Sequence, residues 1–183
     1  YNVGPSVIID GSNLLIGGAN QPFGAYCFNT YFYSNNYVIK GLLIRNFYLS
    51  NGIVIWGPDA KIENNIFQNV GGIDPLYSPY RYIALYVAAP NTTIQGNIFG
   101  TDITGTQNYG CLGGAVHLQS QYQPADNCLV GGSGINESNL IANNAWAGVT
   151  VINGRYNRIS RNRIINNSGG GIDLVKYGVD TFD

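Results

Sequence analysis

Methionine is absent from this 183-residue sequence, histidine occurs once, and charged residues make up only 10% of it. That charge content is far below the roughly 25% of an ordinary globular domain. With a net charge of −1 it offers no electrostatic basis for binding nucleic acid or an anionic membrane surface. Long apolar runs are missing too. None approaches the roughly 20 residues that cross a bilayer, so membrane insertion is not expected. The three cysteines, Cys27, Cys111 and Cys128, are too few for a disulfide-built scaffold and lack the spacing of a metal motif. Cys111 and Cys128 flank one strand and can form a disulfide if their turns approach, leaving Cys27 free. No segment keeps a helical period or pairs a good N-cap with an apolar stripe, so helix content should be close to nil. The chain opens at Tyr1 without Met and without a signal sequence, which reads as a processed chain or a piece of a longer one.

What is abundant is Gly (25 residues), Asn (24) and Tyr (14). Amides and tyrosines must supply the polar surface, a balance common in secreted β-rich proteins. The length fits one domain, 1–183, with a sizeable core. A repeat decides the fold. It reads Ile62-Glu-Asn-Asn65-Ile-Phe67, then Ile94-Gln-Gly-Asn97-Ile-Phe99, then Ile159-Ser-Arg-Asn162-Arg-Ile164, with an earlier copy, Ile39-Lys-Gly-Leu42-Leu-Ile44, carrying Leu at the Asn place. A second short strand follows each copy: Gly52–Ile55, Ile83–Val87, Ala115–Leu118, Gly148–Val151 and Gly171–Leu174. Ile39 to Ile62, Asn139 to Asn162, Ile141 to Ile164 and Gly148 to Gly171 are all 23 residues apart. Such a period holds two or three short strands and tight turns but no helix, which is one coil of a solenoid. The expected fold is therefore all-β, a single-stranded right-handed parallel β-helix of about five coils, roughly 25 Å long at about 4.8 Å per coil. Asn65, Asn97 and Asn162 then form a structural ladder, each amide bonding to those above and below it at the turn.

Extra residues at 70–81, 101–113, 119–126 and 132–138 interrupt the coils and read as loops leaving the cylinder. The segment Asp102–Asn108 is rich in oxygen ligands but lacks the carboxylates of a calcium loop, and a turn with side-chain caps is the better reading.

The stretches PSVIIDGSN (5–13), VIKGLLIRNF (38–47), NTTIQGNIFGTDITGTQNYG (91–110), LVGGSGINESNLIANN (129–144) and NRIINNSGGGIDL (162–174) resemble large secreted or cell-surface bacterial right-handed parallel β-helix repeat proteins. The resemblance implies the fold and an extracellular location. It implies no chemistry, and the Tyr-rich insert at 70–82 and the cysteines depart from the family pattern.

No catalytic residue emerges. Glycoside hydrolysis wants two facing carboxylates, and the ten acids of this chain form no such pair and no calcium cluster beside a base. The reading leans away from an enzyme, and no cofactor or metal is assigned. His117 lies between Val116 and Leu118 and points opposite to them, as an exposed strand residue without an orienting acid. Contact residues for a carbohydrate or a partner are expected among Tyr77, Tyr80, Tyr82 and Tyr86 of the insert and its strand, with Trp56 and Trp146 beside second strands. Tyr31, Phe32 and Tyr33 form another aromatic run. Arg158 and Arg163 point outward and can line one face, with Arg161 at the turn. The sequons at Asn91, Asn136 and Asn166 permit glycosylation.

The composite expectation is a structural or adhesive module of an extracellular protein. Its partners are other copies or flanking domains, with assembly end to end or laterally into a surface filament expected, since strand edges at the rod ends must be capped or paired. The alternative is a module that binds or degrades polysaccharide.

Overall fold

The computed structural model describes residues 5, 7–12, 25–73, 81–119, 122 and 124–174. Among them are eighteen strands and no helix. Two strands open the series, β1 (Val7–Asp10) and β2 (Ala25–Asn29). Five complete coils of three strands follow. The first holds β3 (Val38–Lys40), β4 (Leu42–Tyr48) and β5 (Ser50–Ile55). The second holds β6 (Lys61–Glu63), β7 (Ile66–Ile73), the short β8 (Arg81–Tyr82) and β9 (Leu85–Val87). β10 (Thr93–Gln95), β11 (Ile98–Phe99) and β12 (Val116–Leu118) make the third, and β13 (Leu129–Gly131), β14 (Leu140–Ala142) and β15 (Val149–Val151) the fourth. The last is β16 (Arg158–Ser160), β17 (Arg163–Ile165) and β18 (Ile172–Leu174).

Strands at the same place in successive coils pair in parallel, giving three sheets. The first runs β1-β4-β7-β11-β14-β17, the second β2-β5-β9-β12-β15-β18 and the third β3-β6-β10-β13-β16. This is a parallel β-helix with three strands per coil. Register is fixed by alternation, since a slip of one residue turns every apolar side chain outward. Inward rows result: Ile44, Phe67, Phe99 and Ile141 on the first sheet, Ile53, Leu85, Val116 and Val149 on the second, and Ile62, Ile94 and Val130 on the third, each at most 1% exposed. Phe67 and Phe99 stack with centroids 4.6 Å apart and planes 6° from parallel, which is close to the coil spacing itself.

The corners follow a two-residue code. A residue with positive φ stands outward and the next side chain turns in. The pairs entering the second sheet are Asn46-Phe47, Asn69-Val70, Asn143-Asn144 and Asn166-Asn167; those entering the third are Asn36-Tyr37, Asp59-Ala60, Asn91-Thr92, Asn127-Cys128 and Tyr156-Asn157. Those entering the first are Gly41-Leu42, Asn64-Asn65, Gly96-Asn97 and Arg161-Asn162. Among the described residues, thirteen other than glycine have positive φ, nine of them Asn, the residue that best tolerates this conformation after Gly.

The asparagine ladder is present and longer than the sequence reading made it. Asn65 Nδ2 donates to Asn97 Oδ1 (3.1 Å), Asn97 Nδ2 to Asn139 Oδ1 (3.1 Å) and Asn139 Nδ2 to Asn162 Oδ1 (2.8 Å). Each backbone N–H donates to the same oxygen, and each Nδ2 also reaches a carbonyl of the preceding coil, at Ile39, Ile62, Ile94 and Val130. A second ladder joins Asn144 Nδ2 to Asn167 Oδ1 at 2.8 Å, and the Cys111 N–H continues it by donating to Asn144 Oδ1 at 3.0 Å.

Two expectations are corrected. Cys111 and Cys128 are free thiols, as is Cys27. Cys111 faces in where the chain enters the second sheet and its thiol donates to Phe67 O, while Cys128 faces in where it leaves and its thiol donates to Ala89 O. Different corners keep them apart, and burial pushes their thiols up to about 12 and about 11. The insert at 70–81 is no simple loop either. Val70–Ile73 prolong β7, and β8 returns antiparallel to it, pairing Tyr82 with Gly72 and Arg81 with Ile73. Gly113 makes room for this arm, because a Cβ there would lie 1.8 Å from Tyr82 O.

Candidate functional site

Outward positions of the second sheet form the row Val54, Tyr86, His117, Thr150 and Asp173. Aromatic rings gather over one end of it. Trp56, just past β5, lies 4.9 Å from Phe32, 6.1 Å from Tyr86 and 6.1 Å from Tyr122, centroid to centroid. Phe32 meets Tyr122 edge-on at 5.8 Å, and Tyr86 stacks on the His117 ring at 5.5 Å. Hydrogen bonds fix the base of the cluster. The Trp56 N–H donates to Thr30 Oγ1 (2.9 Å), that hydroxyl lies 2.9 Å from the Tyr37 hydroxyl, and Tyr37 donates to Gly57 O (3.0 Å). Phe32 is 43% and Tyr122 76% exposed, so the cluster opens to solvent at these two rings.

His117 is not the exposed residue expected. It is half-buried, sandwiched along the row and bonded through Nε2 to Gln119 Oε1 at 2.8 Å. Burial pushes its pKa down to about 4, only partly offset by Gln119, so the ring is neutral at physiological pH. A neutral imidazole, an amide and aromatic faces suit stacking and hydrogen bonding to an uncharged polar ligand. Among the described residues, no three of histidine, cysteine, aspartate and glutamate gather as a metal would need.

The predicted contact residues are only partly brought together. Trp56 and Tyr86 join the cluster, and Phe32 comes from the second aromatic run. Tyr82, in β8 itself, is 3% exposed and presents no surface. Trp146 lies elsewhere, with the Arg81 guanidinium 3.9 Å above its ring. Tyr77 and Tyr80 fall outside the described residues. Arg158 and Arg163 are exposed as expected but do not line one face, because Arg158 is on the third sheet and Arg163 on the first. Tyr122 was missed. It lies in a Gln-rich insert, where a lone Tyr carries no periodic signal.

The Asp102 segment is a capped turn, as read. The carboxylate accepts from the Thr104 hydroxyl (2.7 Å) and from the Thr106 and Gln107 N–H groups (3.0 and 3.2 Å), which together hold its pKa down at about 2. Asp10, bonded by Ser12, Asn46 and the Arg45 guanidinium, is likewise held well below the usual carboxylate range. No helix among the described residues is long and apolar enough to cross a membrane. Compared with known proteins, the chain matches no family model, no curated protein and no solved structure.

Proposed function

We propose that this chain is a structural or adhesive β-helix module of an extracellular protein, joined end to end with further copies or flanking domains. The carrying observation is the exposed inward row of the last coil. On the second sheet it ends with Ile172 and Leu174, 48% and 57% exposed, whereas Val149 and Leu118 one and two coils back are fully buried. An apolar rung exposed in this way is the surface that another coil covers. The resemblance to secreted repeat proteins and the low charge support the extracellular setting.

Sedimentation at rising concentration, with electron microscopy of the same samples, tests this reading. Particles longer than one coil stack are expected, lost in Leu174→Lys. A wild type that stays monomeric at all concentrations, because residues 175–183 or another segment close the end, overturns it.

The second reading, saccharide contact, rests on the Phe32–Trp56–Tyr122 cluster, whose rings suit the apolar faces of sugars. A glycan array with wild type and Trp56→Ala decides it. Binding by wild type that the variant loses supports contact, and a blank array removes it.

A further inference from the structure

The outer face of the first sheet carries a row that the core does not use. Ile8 pairs with Leu43, Leu43 with Ile66, Ile66 with Ile98, Ile98 with Leu140 and Leu140 with Arg163. These residues alternate with the inward Ile9, Ile44, Phe67, Phe99, Ile141 and Ile164, so they point away from the interior. Ile8 is 56% exposed and the next four are half-buried by one another and their surroundings. The matching outward row of the third sheet reads Val38, Lys61, Thr93, Leu129 and Arg158, a mixed solvent face. Five branched aliphatics in line are peculiar to the first sheet. The Asp102 turn closes one end of the row, since a Cβ on Gly105 would lie 3.3 Å from Leu140 Cδ2 and 3.6 Å from Arg163 Nη1. Ile8 is exposed and Leu43, Ile66 and Ile98 are half-buried, flanked by Arg45, which is paired with Asp10, and by Gln68, which donates to Thr101 O.

We propose that this stripe is a lateral contact with a second copy of the same chain, packed sheet against sheet about a two-fold axis. The inference rests on the structural reading above and names a face it leaves open. Rungs recur about every 4.8 Å, and a row with that period meshes best with another of equal period, which a second copy supplies. Reversal by the two-fold sets Leu43 against Ile66 and Ile8 against Ile98, and carries each Asp102 turn past the first strand of the other copy. The four aliphatic side chains bear no charge and Arg45 beside them is paired with Asp10, so identical faces meet without net repulsion. The four also have no hydrogen-bonding group that would orient a sugar. Four rungs crossed by about five residues of strand offer on the order of 300 Å² per copy, against roughly 800 Å² in a long-lived complex. Two free copies therefore associate weakly, and the contact becomes effective where many copies are held side by side.

The test is a dilution series from millimolar to low micromolar on full-length protein labelled at isoleucine methyls. Methyl signals of Ile8, Ile66 and Ile98 are expected to move with concentration while those of the inward Ile44 and Ile141 stay fixed. Ile66→Lys should weaken association by roughly tenfold or more, because it buries an unpaired charge. Ile98→Thr serves as a milder second variant should the first fail to fold. Leu174→Lys should leave the shifts intact, which separates this contact from end-to-end joining. Signals independent of concentration, because residues 13–24 or 175–183 cover the stripe or because nothing does, overturn the proposal. So does movement confined to other faces, or loss of the shifts in Leu174→Lys.

Discussion

Asn97 sits mid-ladder with its whole amide engaged: Oδ1 accepts from the N–H and Nδ2 of Asn65, and Nδ2 reaches Ile62 O at 2.7 Å. Asn97→Ala takes the side-chain bonds from two buried groups, the Asn65 N–H and Ile62 O, and at about 1–3 kcal/mol for each we expect a loss near 4 kcal/mol in urea denaturation. Asn162 is half-buried at the ladder's end, where water replaces part of what is lost, so Asn162→Ala should cost about 1–2 kcal/mol. Equal losses at both sites would contradict a ladder graded by burial. His117 predicts a pH dependence. Its folded pKa, near 4, lies below the unfolded value of about 6.5, so the unfolded chain binds the extra proton between these limits. Stability is then full above about pH 6.5, falls on acidification and levels off below about pH 4, by at most about 3 kcal/mol. Denaturation of wild type and His117→Gln across this range checks it, and the variant should be flat there until carboxylates such as Asp102 begin to protonate.

At the scale of strands and corners, Gly113 is required by a close approach rather than by its own conformation. Gly113→Ala drives a methyl into Tyr82 O, so the β8 arm must lift from β7. We expect about 1–3 kcal/mol of destabilisation, with faster amide exchange confined to Arg81–Tyr82 and Gly72–Ile73; uniform loss of protection would argue that the arm is integral to the coil. Much of this level was legible beforehand. The 23-residue spacing and the second strands gave the coils, and the Ile-x-x-Asn frame gave Asn65, Asn97 and Asn162. Asn139 escaped because the insert at 132–138 separates it from its frame, although its distance to Asn162 was plain. The Asn144–Asn167 ladder escaped because corner asparagines come in pairs and only the second of each turns in. Trp56 and Trp146 were grouped because both border second strands. One follows its strand and the other precedes it, which puts them at opposite ends of the sheet. The disulfide failed for a similar reason, since nearness in sequence across β12 means different corners of the coil.

For the whole molecule, stability is a sum of coil and coil–coil terms, so it should fall toward the ends. Strand residues of the middle coils are mostly buried, whereas those of β16, β17 and β18 are half-buried or exposed. Hydrogen exchange should therefore show its slowest amides in β9, β11, β12 and β14 and its fastest in the last coil. One rate throughout would mean all-or-none unfolding, with the end coil secured by contacts beyond its own. The ladders add a property of another kind. Each link that ends on a side-chain amide oxygen runs in one sense, with the donor in one coil and the acceptor in the next, from Leu42 N–H through Asn65, Asn97 and Asn139 to Asn162, and from Cys111 N–H through Asn144 to Asn167. Aligned amide dipoles polarise one another and do not cancel, so the axis carries a direction like that of a bar magnet. A donating end matches an accepting end and not its own kind. The end-to-end joining proposed above would then be heterologous, and its repetition would give an open, polar fibre with unlike tips, where a two-fold pairing of ends would stop at two.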